Sequence, residues 1–275
     1  MEWDALFPDE REKGETTLRQ CQLVMLRMLK ICDYLCAKHS VQYFLVGGSL
    51  LGAIRHKGFI PWDDDLDIGM TRENYEKFIR CVVPELPYDI FFQNTETDPA
   101  YPACWSAEAR LRDKYSKYIG NNKKHETWHQ GLWLDIFVYD QAFLPHNFFI
   151  SVTNAFFLKI IKNSKKRASS LKFIAKYSPL PLVFASSFLS GLKSIRRGAN
   201  YIKALEIAVL QKVPFEDMEV FIPSGWDDCL KRQYNNYMEL PPLEKQIPHH
   251  NVNADPFHPC DHSQILYWSK RNVAI

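Results

Sequence analysis

The stretch FLVGGSLLGAIRHKGFIPWDDDLDIGM, residues 44–70, runs from an apolar segment through two glycines to four aspartates within five positions. Residues 41–46 are rich in β-forming side chains and stop at Gly47–Gly48, which predicts a short strand ending in a turn. A helix is predicted from Ser49 onward. Acidic and apolar residues alternate over 65–70, which predicts a half-buried strand. This order of elements decides the fold class.

Three of the aspartates share one face of the predicted acidic strand. Successive side chains of a strand point to opposite faces, so Asp63, Asp65 and Asp67 lie on the same side. Carboxylates this close repel one another, and a hard cation such as Mg²⁺ relieves the repulsion and bridges to phosphate oxygens. Asp135, a single acid in the apolar run 131–139, supplies a third oxygen ligand if its strand lies beside the first. The pattern predicts a divalent-metal site.

The acidic run has other interpretations: a solvated acidic loop, an EF-hand loop, or the acidic metal motif of a nucleotide-sugar glycosyltransferase. An EF-hand fails, because counting from Asp63 the sixth position is Ile68 rather than Gly, and the twelfth is Asn74 rather than Glu. The glycosyltransferase stays open, since an Asp-x-Asp motif is a weak signal by itself.

The glycines upstream of the acidic run favour a phosphate ligand. Gly47 and Gly48 allow backbone N–H groups to approach an anion, Ser49 adds a hydroxyl, and a helix N-terminus attracts negative charge. The sequence has a strand, a Gly-Gly-Ser turn, an Asp-x-Asp strand and a distant acid in an apolar strand, and this combination resembles the pattern of the nucleotidyltransferase fold.

The rest of the chain completes an α+β prediction: one domain over 1–275, with a small mixed β-sheet flanked by helices. A long first helix follows Thr16 or Thr17, and Thr71 caps a second helix. The further predictions are strands at 88–93, 106–113 and 131–139, a hairpin at 213–223 and a helix at 225–238.

Charge is strongly segregated along the chain. Residues 141–205 contain eleven Lys or Arg and no Asp or Glu, which leaves 23 basic and 32 acidic residues elsewhere. We predict a basic helical insertion at 141–205 that meets something anionic. It is either a peripheral membrane contact or a core-packed helix pair with a solvated basic face. Nucleic acid is not expected as a partner, because no recognition motif accompanies the charge.

The N-terminus and the cysteines predict a cytoplasmic protein, with the inner face of the membrane as an alternative, peripheral location. The first fifteen residues are acidic and lack the basic start and apolar run of a secretory signal. Seven cysteines without a repeated C-x-x-C spacing fit reduced thiols better than a disulfide framework. Cys32 and Cys36, one helical turn apart on an apolar face, are predicted core residues rather than metal ligands.

The segment AIRHKGFIPWDDDLDIG, residues 53–69, resembles the LicD family, which is related to the fukutin-type sugar-modifying transferases. Three later blocks, at 111–114, 131–137 and 213–250, resemble the family in the same order, so the likeness covers most of the chain. A departure is YNNYM at 234–238, where relatives tend to have a Gly-Asp pair.

The resemblance implies transfer of a phospho-alcohol, phosphocholine foremost, from a CDP-activated donor such as CDP-choline, with release of CMP. The implied cofactor is Mg²⁺, with Mn²⁺ as an alternative, and the implied acceptor is a cell-surface glycan such as lipopolysaccharide or teichoic acid, free or lipid-linked. Asp65 and Asp67 are the implied metal ligands, and Asp135 is either a third ligand or the base that takes the acceptor's proton. The implied phosphate contacts are Gly47, Gly48 and Ser49.

Further candidates for substrate binding lie near these motifs. Asp63 is expected to support the metal ligands. Three charged or polar residues after the first turn of the helix are candidates for contact with the diphosphate or CMP. Three cations that alternate along one strand face are candidates for a row of phosphate contacts. The three residues after the helix turn are Arg55, His56 and Lys57, and the three strand cations are Arg110, Arg112 and Lys114.

Two alternatives stand beside this transferase. One is a nucleotidyltransferase in the strict sense, which attaches a nucleotide monophosphate to an acceptor and releases pyrophosphate. The other is a catalytically silent subunit of a glycan-assembly complex. The silent subunit is disfavoured, because every acidic position that the chemistry requires is present.

Overall fold

A computed structural model of the protein describes residues 3–101, 107–119, 127–143, 182–186, 201–248 and 253–261. Its strands are β1 (Phe44–Leu45), β2 (Asp67–Thr71), β3 (Ile90–Gln93), β4 (Ala109–Asp113), β5 (Lys117–Ile119), β6 (Trp133–Phe143), β7 (Leu182–Ser186), β8 (Tyr201–Lys203), β9 (Leu210–Phe215), β10 (Met218–Pro223) and β11 (Asn253–Asp255).

The central sheet of the described residues has seven strands and mixed pairing. Five strands follow the order β1-β2-β6-β4-β3, while β7 pairs with β6 and β8 pairs with β7. β2 is antiparallel to β1 and parallel to β6, and β6 is antiparallel to β4. The parallel pair places Asp67 opposite Asp135. The predicted mixed sheet is confirmed.

Helices flank the sheet, as predicted. The first long helix, α2 (Thr17–Lys38), begins after Thr16, whose Oγ1 accepts a hydrogen bond from the Arg19 amide at 3.2 Å. It packs on β4 and β6, and its Cys32 and Cys36 are 0% and 1% exposed, which confirms that they are core residues. The α-helices are α1 (Trp3–Leu6), α2 (Thr17–Lys38), α3 (Gly47–Arg55), α4 (Arg72–Lys77), α5 (Ala204–Ile207) and α6 (Trp226–Tyr234).

The element boundaries around the two glycines differ from the prediction. Val46 is already the N-cap of α3, so β1 has only two residues. α3 begins at Gly47 rather than Ser49, and the glycines form its first turn instead of a separate loop. β2 begins at Asp67, where pairing with β6 starts, so Asp65 precedes the strand. The prediction that one alternating strand places Asp63, Asp65 and Asp67 on the same face is therefore wrong.

Three described stretches of the basic segment 141–205 differ from the predicted helical insertion. Residues 141–143 continue β6, 182–186 form β7 and 201–203 form β8, so these parts are strands and not helices. Short apolar runs carry no periodicity that separates a strand from a buried helix, which explains the error. Residues 144–181 and 187–200 lie outside the described residues. None of the described helices is both long and apolar enough to cross a membrane.

The C-terminal part follows the prediction more closely. β9 and β10 form the predicted hairpin, with Met218 paired to Phe215 across the turn. Glu216 in that turn has a positive φ of 55°, and its carboxylate accepts hydrogen bonds from Arg19 of α2 at 2.6 and 3.1 Å. α6 forms within the predicted range 225–238. The hairpin is thus fastened to the first long helix.

A buried ion pair joins β2 to β6. Arg72, the residue after β2, donates from Nε and Nη2 to the two carboxylate oxygens of Asp140 at 2.9 and 3.0 Å. Its Nη1 reaches Glu108 at 3.4 Å. The side chains of Arg72 and Asp140 are each 5% exposed. This bidentate contact holds together the two strands that carry Asp67 and Asp135.

Candidate active site

Two predicted site residues, Asp67 and Asp135, meet through the register of the sheet. They are direct partners in the parallel pair of β2 and β6, so their side chains leave the same face. The Asp67 amide donates to the Ser49 hydroxyl at 2.8 Å, which attaches the start of β2 to the first turn of α3. Strand register thus brings together two acids that are far apart in the sequence.

The first turn of α3 lies against the aspartates. Gly47 has a φ of +57°, and a Cβ added there would lie 3.0 Å from Oδ2 of Asp67. A Cβ at Gly48 would lie 2.7 Å from Oδ2 of Asp63. Side chains larger than hydrogen would therefore occupy the space between the helix N-terminus and the carboxylates. The glycines thus allow the backbone at the N-terminus of α3 to approach these carboxylates more closely than a residue with a side chain could.

Asp63, Asp65 and Asp67, here called the carboxylate cluster, interact electrostatically. Burial, together with the charges of Asp65 and Asp64, raises the pKa of Asp63 to about 8. Burial and the charges of Asp65, Asp135 and Asp63 raise the pKa of Asp67 well above its usual range, and Arg110 opposes this. The fold thus holds carboxylates at a position where their charges repel.

The oxygen atoms of the carboxylate cluster are chemically suited to bind a divalent cation. Carboxylate oxygens are the donors that Mg²⁺ prefers, and the ion is usually bound by one or two carboxylates plus substrate phosphates. Among the described residues, no three His, Cys, Asp or Glu side chains converge closely enough to form a complete ion site. The predicted metal site would thus use Asp65 and Asp67 and take its remaining ligands from the substrate or solvent.

Asp135 is engaged on both carboxylate oxygens. Arg110 donates from Nε to Oδ1 and from Nη2 to Oδ2, the latter at 3.2 Å, and the Trp133 indole donates to Oδ2 at 2.9 Å. The Arg110 guanidinium also lies over the Trp133 ring, 4.8 Å from its centroid. The predicted phosphate contact Arg110 is thus the ion-pair partner of the predicted third metal ligand.

Arg112 and Lys114 take protein partners. Arg112 is 1% exposed and donates to Oε1 of Gln93 at 2.8 Å and to the carbonyl of Gly131 at 2.5 Å. Burial, with the nearby charge of Arg110, lowers the Arg112 pKa to about 9. Lys114 donates to the carbonyl of Tyr88. These contacts bind the two cations to neighbouring backbone, so the structure adds no support for a row of phosphate contacts that includes them.

The Arg-His-Lys triplet closes the other end of α3. Arg55 donates from Nη1 to the Tyr237 carbonyl at 2.8 Å and from Nε to Nε2 of His56 at 2.9 Å. Burial and the charge of Arg55 lower the pKa of His56, consistent with a neutral ring that accepts this bond. Lys57 has a φ of 57°, and its carbonyl accepts from the Glu216 amide at 2.7 Å. Arg55 also interacts electrostatically with Tyr234.

Tyr234 and Trp133 are site residues that the sequence analysis missed. Tyr234 ends α6, which packs against α3, and its hydroxyl would lie 3.9 Å from a Cβ at Gly47. Trp133 contacts Asp135 directly. The spacing of Trp133 two residues before Asp135 on one strand was an available signal for the second contact. No local signal marks Tyr234, because only the packing of two distant helices places it here.

The raised pKa of Asp63 predicts that the stability of the metal-free protein depends on pH. Because its folded-state pKa of about 8 exceeds its ordinary value of 3.8, the folded state binds the proton more tightly than the unfolded state. The free energy of unfolding should therefore fall as pH rises from about 4 to about 8. Urea unfolding in the presence of a metal chelator, measured across this pH range, should show a shallower decline in the free energy of unfolding for Asp63→Asn than for wild type. The exposed Glu244→Gln is the control, and an equally shallow decline in it would contradict the assignment.

A mixed α/β domain in which neighbouring aspartates face a glycine-started helix defines a candidate phosphate-transfer site. Residues 40–225 match the family described as LicD/FKTN/FKRP, nucleotidyltransferase domain. The chain belongs to this family, and the predictions of LicD membership and of a transferase enzyme are confirmed.

Individual relatives extend the similarity beyond the family match. The lipopolysaccharide cholinephosphotransferase LicD of Haemophilus influenzae is 28% identical over 273 residues, covering 86% of this chain and 97% of that protein. An uncharacterized protein of Rickettsia prowazekii is 33% identical over 107 residues, 38% of each chain. The human ribitol 5-phosphate transferase FKRP is 59% identical over 34 residues, 12% of this chain and 7% of that protein. The first similarity spans nearly the whole relative, and the last is confined to a short segment.

Proposed function

We propose that this protein transfers a phospho-alcohol, phosphocholine foremost, from a CDP-activated donor to a hydroxyl of a cell-surface glycan, with release of CMP. The observation that carries the proposal is the position of Asp67, opposite Asp135 in the sheet and against the glycine turn that begins α3. This arrangement offers both oxygen ligands for a cation and backbone donors for phosphate. The nucleotidyltransferase-like fold is part of the proposal.

In this proposal each part of the site has a distinct task. The first turn of α3, with Gly47 and Gly48, receives the donor diphosphate, while Ser49 holds β2 in place through the Asp67 amide. Asp65 and Asp67 hold Mg²⁺, or Mn²⁺ in its place. The metal ion would supply neutralisation of the negative charge that develops on the transferred phosphate and its leaving group.

The contacts of Asp135 favour an orienting task. Both of its oxygens already accept hydrogen bonds from Arg110 and Trp133, so service as a metal ligand or as a base requires that one of these bonds be exchanged. In the arrangement described, Arg110 balances the charge of Asp135 next to Asp67. We therefore propose that Asp135 and Arg110 hold a balanced pair of opposite charges in a fixed position beside the reacting phosphate.

The names of the relatives support the class of reaction more strongly than they support the identity of the transferred alcohol. One is named for cholinephosphate transfer to lipopolysaccharide and another for ribitol 5-phosphate transfer. Both names describe movement of a phosphorylated alcohol, and the longer similarity is to the choline enzyme. Phosphocholine is therefore the first donor group to test, with CDP-ribitol and CDP-glycerol beside it.

A thermal-shift panel tests the donor. Wild type and Asp65→Asn are heated with Mg²⁺ and CDP-choline, CDP-ribitol, CDP-glycerol, CTP, ATP or UDP-sugars. A ligand at 100 times its Kd should stabilise the folded state by about 2.7 kcal/mol. We expect a Mg²⁺-dependent shift with one CDP-alcohol in wild type and a much smaller shift in Asp65→Asn. Equal shifts in the two proteins would contradict the metal assignment.

Product analysis separates the transferase from the strict nucleotidyltransferase, which the family description favours as the second candidate. The proposed enzyme releases CMP from a CDP-alcohol when a glycan acceptor is present. A nucleotidyltransferase releases pyrophosphate from a nucleoside triphosphate, so a shift with CTP or ATP alone and pyrophosphate release would favour it. A complete lack of shift with every nucleotide would favour the silent subunit.

The membrane contact of residues 141–205 is a separate proposal. Eleven basic residues without an acid suit an anionic surface, such as the membrane that carries a lipid-linked glycan acceptor. Sedimentation with anionic and with neutral liposomes at physiological salt tests it. Binding that is confined to the anionic liposomes supports the contact, and absence from both pellets removes it.

A further inference from the structure

The Tyr234 hydroxyl lies close to the carboxylate cluster at the first turn of α3. A Cβ added at Gly47 would lie 3.9 Å from the Tyr234 hydroxyl and 3.0 Å from Oδ2 of Asp67. The volume above the Gly47 backbone therefore has a phenol and a carboxylate within reach of one small group. A ligand that sits on the first turn of α3 would meet both.

The hydroxyl of Tyr234 is available as a donor. The residue is 41% exposed, and its hydroxyl makes no hydrogen bond to any residue that the structure describes. A tyrosine phenol keeps its proton at neutral pH, which suits donation of a hydrogen bond.

The backbone around Tyr234 is held in place on both sides. Asn235 follows it with a φ of 55° and ends α6, while its amide donates to the Lys231 carbonyl at 3.0 Å. Arg55 of α3 donates to the Tyr237 carbonyl at 2.8 Å, which fastens the turn after α6 to α3. The phenol is therefore presented to the glycine turn by anchored structure.

We propose that the Tyr234 hydroxyl donates a hydrogen bond to a phosphate oxygen of the nucleotide diphosphate bound over Gly47. This inference rests on the proposed function and adds a substrate contact to it. The phosphate would be bound by backbone N–H groups of α3, by the cation at the carboxylate cluster and by a neutral phenol that contributes no charge.

Tyr237 supplies a matched control three residues away. Its hydroxyl donates to Oδ1 of Asp227 at 2.6 Å, and the residue is 8% exposed, so its phenol serves the protein rather than a ligand. Tyr234→Phe and Tyr237→Phe each remove one hydroxyl from the same turn. The first should affect a phosphate ligand and the second should affect stability.

Calorimetric titration with CDP and Mg²⁺ tests the contact. Tyr234→Phe should raise the Kd for CDP at least 10-fold, because it removes a hydrogen bond to a charged group, which is stronger than one between neutral groups. Its Tm and its affinity for cytidine, which has no phosphate, should match wild type. Tyr237→Phe should lower the Tm and leave the Kd for CDP unchanged.

The outcomes separate this inference from the proposed function. If wild type binds CDP and Tyr234→Phe binds it equally well, the Tyr234 contact is wrong while the function stands. If Tyr234→Phe weakens CDP and cytidine alike or lowers the Tm, its role is structural and the inference also fails. If wild type binds neither CDP nor any CDP-alcohol, both the function and the contact are wrong.

Discussion

Replacing Asp67 with Asn should lower the rate of transfer by roughly 10³-fold, the scale seen when a preorganised charge is removed from a transition state. The substitution keeps the size of the side chain and the backbone contact to Ser49, but it removes the charge that faces the glycine turn. Measurement of kcat and of kcat/KM for the donor identified by the thermal-shift panel checks the result.

The same variant should not lose stability. Burial and the neighbouring carboxylates raise the pKa of Asp67, so the charged form is disfavoured in the folded protein. A neutral amide removes that repulsion, and the metal-free variant should unfold at an equal or higher urea concentration than wild type. Asp228→Asn, which changes an acid with a 64% exposed side chain, is the control and should retain full activity. Retention of half the wild-type rate by Asp67→Asn would refute the proposed site.

Replacing Arg72 with Met should lower the free energy of unfolding by about 3–5 kcal/mol. The change removes one partner of a buried pair and leaves the Asp140 carboxylate, 5% exposed, without its two guanidinium bonds. Glu108 loses its contact with the same side chain. Urea unfolding monitored by tryptophan fluorescence measures the loss, and a fall in activity should accompany it because β2 carries Asp67.

Two further variants distinguish the effect of breaking the buried ion pair from the effect of removing a charge at the surface. Lys231→Met breaks an exposed ion pair in which the Lys231 and Asp227 side chains are 61% and 44% exposed, and it should destabilise the protein far less than Arg72→Met does. Arg72→Met combined with Asp140→Leu removes both charges and should recover much of the lost stability. Equal effects of Arg72→Met and Lys231→Met would show that the pair between β2 and β6 contributes little.

The predictions that held rest on short segments whose chemistry is local. Thr16 caps the first long helix, the hairpin forms at the predicted turn, and Cys32 and Cys36 pack in the core. Each depends on residues within a few positions of one another, so periodicity and capping chemistry suffice. Within the basic segment, residues 182–186 and 201–203 form strands rather than the predicted helix, because short apolar runs have no clear period and pairing with the sheet selects the extended form.

The sequence by itself determined that a strand, two glycines and a helix precede a run of aspartates and that an apolar strand carries Asp135, because these features follow from residue type and order. Only the tertiary structure decided that Asp67 stands opposite Asp135, that Arg110 pairs with Asp135, and that Tyr234 reaches the glycine turn. Strand register and helix packing join segments far apart in the chain. Such contacts depend on how whole elements fit together, and no local pattern of residues encodes them.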